Sequence, residues 1–406
     1  MRAGIAYGNS RDAYELGRQV GGDALRRGGI SAADLVLAFV QRDTDATAFY
    51  SGLRSAVGAD APIIGGSAIG IITNDQISYD GMPAGVAILQ MDSGEFRYAT
   101  ASGIDRSEYE AGSRLGEQLA GSMAAKLLLM FYDSIKTPAT PASPPAMNAS
   151  PPLIAGIESA LPLDIPIIGA GLLGDMDFSA TIQFDGSGVQ QQAVVGMLLG
   201  GTIAPYMTIT HGCSLMDGVY HQITRMDGPV IMEINGRPAA AVVDEMYGGT
   251  SWREQLPVRR LTIGVNHGDR FSDFQEDQYV ARLIVGEAPG GGIVLFEPDL
   301  EAGTEFQFLL RDGGMMITSA RRNATALMAK IQAAGHTPRF ALYIDCAGRC
   351  AAMSNTLTEE AAEIQAVMNQ HQVPLLGFYS GVEVAPLIGR SRGLDWTGVL
   401  LILAEA

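Results

Sequence analysis

Residues 11–25, RDAYELGRQVGGDAL, and residues 106–120, RSEYEAGSRLGEQLA, are two versions of one segment. Arg11, Tyr14, Glu15, Gly17 and Gly21 recur 95 residues further on as Arg106, Tyr109, Glu110, Gly112 and Gly116. The apolar and glycine positions keep helical spacing, so both segments read as helices. Each carries two glycines one turn apart, which predicts a face that another element approaches closely. An internal repeat of this length decides the architecture before any single motif does.

Outward from these helices the two copies stay in step. Each continues with an apolar strand (Leu35 to Val40; Leu127 to Tyr132), a second helix and a Pro-apolar-apolar-Gly signature, Pro62-Ile-Ile-Gly65 and Pro166-Ile-Ile-Gly169. Paired strands follow, with turn signals at Tyr79-Asp-Gly81 and Phe184-Asp-Gly186. The second copy is longer by a Pro-rich stretch, 137–152, which reads as a loop. A third copy is expected at the C-terminus: a strand at Met315 to Thr318, a helix through Ala324 to Ala334, a strand Phe340 to Ile344, a helix through Glu359 to Met368, Pro374-Leu-Leu-Gly377, and a last strand Gly398 to Leu403.

The predicted fold class is therefore α/β (α+β): three related β-α-β-α-β-β units with mixed sheets, plus a mostly β insertion. The expected division is an N-terminal half 1–203 (units 1–95 and 96–203) and a C-terminal half 204–406. The latter divides into a β-rich block 204–312 and the third unit 313–406. Short strands such as Val230 to Ile234, Leu261 to Val265, Tyr279 to Val285 and Phe306 to Leu310 fill the block, with one helix over Pro238 to Tyr247.

Composition narrows the function classes. Of 406 residues, 44 are Asp or Glu and 27 are Lys or Arg, giving a net charge of −17, and no basic cluster exceeds a pair such as Arg321-Arg322. Nucleic-acid binding needs a basic face, so it is excluded. No apolar run is long enough for a membrane span, and the chain enters a strand pattern without an apolar leader, which predicts a cytoplasmic protein. Three cysteines fit a reducing compartment.

Three stretches resemble the FIST (F-box and intracellular signal transduction) sensory family: Pro62-Ile-Ile-Gly-Gly-Ser-Ala-Ile-Gly70; Tyr220-His-Gln-Ile-Thr224 with Val230-Ile-Met-Glu-Ile-Asn-Gly-Arg-Pro-Ala239; and Asp345-Cys-Ala-Gly-Arg349 with Gly377-Phe-Tyr-Ser-Gly-Val-Glu-Val-Ala-Pro386. Val382 departs from the pattern, which tends to place glycine directly before the glutamate. The resemblance implies a sensor of small molecules, with amino acids as proposed ligands and haem-binding nitric oxide sensors as a subset. It also implies output through a separate partner such as a histidine kinase, a chemotaxis receptor or a cyclic-di-nucleotide enzyme. A ligand-free adaptor is a further alternative.

The candidate ligand-binding residues are Cys346, Arg349, Tyr379 and Glu383. A guanidinium clamps a carboxylate bidentately, and with one anion and one phenol it suits a zwitterion. The competing reading is that Glu383 neutralises Arg349 as a structural ion pair. Cys346 and Cys350 would share one face of a helical turn, as a redox pair or as buried small hydrophobes. His211, Cys213 and His221 match no standard zinc spacing. For haem, none of the five histidines stands out as an axial ligand, and there is no Cys-x-x-Cys-His. Gly65 to Gly70 is followed by no helix, so it reads as close packing and not as a phosphate cradle. No Gly-x-Ser-x-Gly is present, and no catalytic residue is assigned.

Overall fold

The computed structural model describes residues 1–91, 95–140, 145–297 and 299–405. Eight α-helices are found among them: α1 (Ala13–Gly28), α2 (Ala46–Val57), α3 (Glu108–Leu119), α4 (Ser150–Glu158), α5 (Ala239–Tyr247), α6 (Gly313–Ala333), α7 (Ala351–Ser354) and α8 (Ala361–Gln370).

Three six-stranded sheets share one plan. The first runs Arg2–Asn9, Pro83–Gln90, Leu35–Val40, Ile63–Ser67, Gln183–Gly186, Val189–Gln190. The second runs Phe96–Ser102, Ala193–Leu199, Leu127–Asp133, Ile167–Leu172, Val382–Leu387, Arg390–Leu394. The third runs Ile203–Thr210, Gly398–Glu405, Thr337–Cys346, Leu375–Ser380, Ile71–Thr73, Ile77–Ser78. In every sheet the third and fourth strands are parallel and the other pairings antiparallel. A parallel pair needs a crossover, and α2, α4 and α8 supply the three.

The last two strands of each sheet come from a different unit. The 71–78 hairpin of the first unit joins the third sheet, the 183–190 hairpin of the second joins the first, and the 382–394 hairpin of the third joins the second. This cyclic exchange ties the three units together through backbone hydrogen bonds. The two Asp-Gly turn signals fall beside the observed turns. Asp80-Gly81 follows the strand Ile77–Ser78, and in the other hairpin Asp185 Oδ1 accepts from the amides of Ser187 (2.9 Å) and Gly188 (2.8 Å).

Continuous apolar strands fit burial on both faces. Leu35, Leu37 and Phe39, then Leu127, Leu129 and Phe131, and Phe340, Leu342 and Ile344 point into one shared interior, while Val36, Ala38 and Val40 and their counterparts face the helices. At the centre Phe39 stacks on Phe378 with ring centroids 3.8 Å apart, and Phe131 meets both edge-on.

The repeated glycines seat the helix pairs. A Cβ on Gly17 would lie 2.2 Å from the Phe49 carbonyl oxygen, and one on Gly52 would lie 1.9 Å from that of Tyr14. Gly112 and Gly156 relate α3 to α4 in the same way, at 2.2 Å from Leu153 O and 2.1 Å from Tyr109 O. Gly65 and Gly66 hold φ of 131° and 146° between two neighbouring strands, with Ala38 O and Ile182 O where Cβ atoms would sit. Close packing is their structural role.

Two expectations are corrected. Met315 to Thr318 is not a strand: Asp312 caps α6 by accepting from the Gly314 and Met315 amides. Met316, Ala320, Ala324, Leu327, Met328 and Ile331 then form one buried helical face. A short run such as Met315 to Thr318, three of its four residues apolar, fits either element, and only the longer periodicity separates them. The edge strand of the third sheet is instead Ile203–Thr210, which pairs with Gly398–Glu405 as Arg2–Asn9 pairs with Pro83–Gln90. The β-rich insertion, built on Cys213–Asp227 and Glu305–Arg311, thus enters between that strand and α6. The Pro-rich loop expected over 137–152 also ends early. Residues 141–144 lie outside the described residues, and Pro151 and Pro152 sit in the first turn of α4, where proline costs no hydrogen bond.

Candidate functional site

The strand Thr337–Cys346 ends in a 3-10 turn, Ala347–Arg349, which folds Arg349 back beneath the sheet. Its side chain is wholly buried. Nε and Nη2 grip Glu360 at 2.9 and 2.6 Å, while Nη1 donates to the carbonyls of His211 (2.7 Å) and Trp396 (2.6 Å). Glu360 also accepts from Thr210 Oγ1 (3.1 Å) and Tyr343 OH (3.3 Å). Burial opposes the guanidinium charge, but Glu360 and Asp345 outweigh it and hold Arg349 above its ordinary value. Asp345 lies 3.3 Å from Arg349 Nε. Burial first, then the neighbouring Glu360, pushes its carboxyl well up.

The ion-pair partner is therefore Glu360 and not Glu383. Glu383, fully buried on Val382–Leu387, lies 2.8 Å from Ser380 Oγ and accepts from Thr397 N and Oγ1, both at 3.2 Å. Burial pushes its carboxyl up to about 8. Ser380 Oγ is also 3.2 Å from Asp345 O. One hydroxyl hydrogen serves one acceptor, so a protonated Glu383 completes the chain by donating to Ser380 while Ser380 donates to Asp345 O. A folded value raised above the unfolded one contributes stability below about pH 4.5 that is lost as pH rises through about 8. Glu383→Gln keeps all three hydrogen bonds without a titrating proton. It is expected to leave stability unchanged near pH 4 and to raise it by up to ~5 kcal/mol above pH 8, read as urea midpoints across pH.

Tyr379 OH donates to Glu359 Oε2 (2.9 Å), and Tyr79, reaching over from the first unit, donates to Glu359 Oε1. Glu359 also accepts from the Ala351 amide at the start of α7. Cys346 is buried against Leu283 and Trp396. It and Cys350 flank the 3-10 turn, with no helix face shared between them. Burial pushes the Cys350 thiol to about 11 and that of Cys346 well above its ordinary value, so both sit as neutral thiols. The fold brings Cys346, Arg349, Tyr379 and Glu383 into one neighbourhood, and gives each an internal partner or an apolar seat.

A cleft of about 730 Å³ opens on the other side of the His211 backbone, between the insertion and α6. Thr208, Cys213, Phe274, Glu276, Ser319 and Arg322 are among its walls. Glu276, on the 3-10 turn Glu276–Gln278 of the insertion, accepts from Gly212 N (3.0 Å), Ser319 Oγ (2.8 and 2.9 Å), Asn323 Nδ2 (2.7 Å) and Arg322 Nη2. Burial pushes its carboxyl up, but the Gly212, Ser319 and Asn323 donors, with His211 nearby, outweigh it and hold the group below its ordinary value. A smaller cleft of about 360 Å³ lies at the seam of the first and third units, beside Arg27, Asn74 and Asn369. No histidine lines either cleft. Burial pushes the His211 imidazole down to about 4, and Tyr206 OH lies 2.8 Å from His336 Nδ1. Among the described residues no group of three His, Cys, Asp or Glu side chains is placed to hold a metal ion.

Sequence reasoning missed Glu360 and the Glu276 contacts. Glu360 had a signal, an acidic pair opening α8 eleven residues after Arg349. Glu276 had none, since its partners lie some 43 to 64 positions away.

The FIST N domain matches residues 34–237 and the FIST C domain residues 239–386. The chain belongs to the FIST family. FIST domains are sensory signal-transduction domains. Relatives include uncharacterised proteins of Mycobacterium bovis (26% identical over 248 residues, 60% of this chain) and Mycobacterium tuberculosis (26% over 254 residues, 62% of this chain). The chain spans about 62% and 64% of the length of those two relatives. Among solved structures, a chorismatase aligns over 100% of this chain and 98% of its own at 11% identity and a TM-score of 0.36. PurLQS from Thermotoga maritima aligns over 100% and 72% at 7% and 0.21. At those scores neither bears on its fold or chemistry. Among the described residues no helix of this FIST protein is long and apolar enough to cross a membrane.

Proposed function

We propose that this FIST protein senses a small polar ligand of amino-acid size, taken up in the cleft between the β-rich insertion and α6. The observation that carries the reading is the cleft itself: about 730 Å³, within the range of small-ligand sites, and walled on its polar side by Ser319, Arg322 and Asn323. Arg349, Glu360, Tyr379 and Glu383 then serve as the frame behind it. Arg349 fixes the His211 carbonyl, and the next residue, Gly212, presents its amide to the cleft. Ligand bridging the insertion and α6 favours a closed arrangement, and the population shifts by no more than the differential affinity of the two states. The changed outer surface is what a separate partner, such as a histidine kinase, a chemotaxis receptor or a cyclic-di-nucleotide enzyme, would read.

Thermal-shift measurement against an amino-acid panel tests this. A cognate ligand at about 100 times its dissociation constant adds about 2.7 kcal/mol to the folded state. No stabilisation by any member would remove the amino-acid assignment.

A further inference from the structure

We propose that the Gly212 amide, Ser319, Arg322 and Asn323 form a carboxylate receptor that Glu276 fills as a built-in occupant, and that the cleft's ligand is a small carboxylate that displaces it. The inference rests on the cleft being the ligand site. Its basis is how completely the Glu276 carboxylate is satisfied, and by what. Both oxygens are engaged, by an amide, a hydroxyl, a side-chain amide and a guanidinium, which is the donor set that recognises a free carboxylate.

Three of the four donors are held without help from Glu276, and the fourth, Arg322, stays largely exposed at the mouth of the cleft. Asn323 Nδ2 also donates to Ile209 O at 3.0 Å, Ser319 is buried on α6, and Gly212 follows the carbonyl held by Arg349. His211, buried directly before Gly212 in the chain, lies within electrostatic reach of the Glu276 carboxylate. Glu276 comes from the opposite wall, on a single 3-10 turn, anchored nearby by the Phe274 and Tyr279 rings, 4.9 Å apart. A receptor with three held donors on one side and a short tether on the other make an exchangeable contact. An incoming carboxylate replaces the bonds one for one, so the net cost is the tether's local concentration and not lost hydrogen bonds. Once released, the 276–278 turn frees the adjoining segment that bears the exposed Phe271. That release is the surface change.

The test is chemical rescue in the full chain. Glu276→Ala empties the receptor, so formate and acetate should raise its melting temperature with the logarithm of concentration. For a dissociation constant of about 10 mM the rise by 100 mM is about 2 °C. Acetamide and chloride at matched ionic strength should give none, and Asn323→Leu in the same background should abolish the effect. Equal responses to acetate and acetamide overturn the proposal. If Glu276→Ala does not fold, Glu276→Gln, whose amide group confronts the donors, is read against the same panel with the same two outcomes. Rescue by formate without any amino-acid stabilisation of the wild type keeps the receptor and removes the sensing assignment. The reverse pattern keeps the sensing cleft and removes the receptor.

Discussion

Arg349→Met is expected to destabilise the protein by about 3–5 kcal/mol, or to prevent folding, because it strips a wholly buried cluster of the cation that grips its acids while leaving the acids in place. Glu360 would lose both guanidinium bonds and keep only the Thr210 and Tyr343 hydroxyls. The His211 and Trp396 carbonyls would lose their donor as well. Arg349→Lys is no rescue, since one ammonium replaces neither the two-point grip nor the reach to both carbonyls. The diagnostic comparison is Arg349→Met with Glu360→Gln. Removing the charge together with its partner should recover a large part of the loss, as a coupling of about 1–3 kcal/mol in a double-mutant cycle. Additive losses in urea midpoints would show that Glu360 is not the partner that matters.

Gly52→Ala is expected to cost about 1–3 kcal/mol net, even though alanine is the better helix former by about 1 kcal/mol. The new Cβ would sit 1.9 Å from Tyr14 O, a backbone atom in the first turn of α1 that cannot rotate aside. The two helices must then part, loosening Leu16, Val20, Phe49 and Leu53 over the first sheet. Gly22 supplies the control on the same helix pair. Nothing lies nearer its missing Cβ than Arg26 Nη1 at 3.6 Å, so Gly22→Ala should stabilise by about 0.5–1 kcal/mol. If thermal melts rank the two substitutions in the opposite order, close helix contact is not why these glycines recur.

Much of this was legible in the sequence because it is local or periodic. The glycine pairs of 11–25 and 106–120 announced a close helical contact, and the contact is there in both pairs. Strands such as Leu127–Asp133 were apolar throughout because both faces are covered. The insertion's texture was visible too, but its point of entry was not. Met315 to Thr318 looks like a strand in isolation, and what makes Ile203–Thr210 the edge of the third sheet is its pairing with residues nearly two hundred positions away.

The candidate site divides along the same line. From Asp345-Cys-Ala-Gly-Arg349 and the Gly377 to Pro386 stretch the sequence alone marked a polar neighbourhood in the third unit, and those residues do gather there. Which acid Arg349 holds, which wall Glu276 crosses to reach, and which sheet each hairpin completes were decided only by the tertiary structure. Helical and strand periodicity is written in neighbouring residues. The choice between Glu360 and Glu383 depends on a few ångströms set by how three sheets close on one another, and no spacing along the chain encodes that distance.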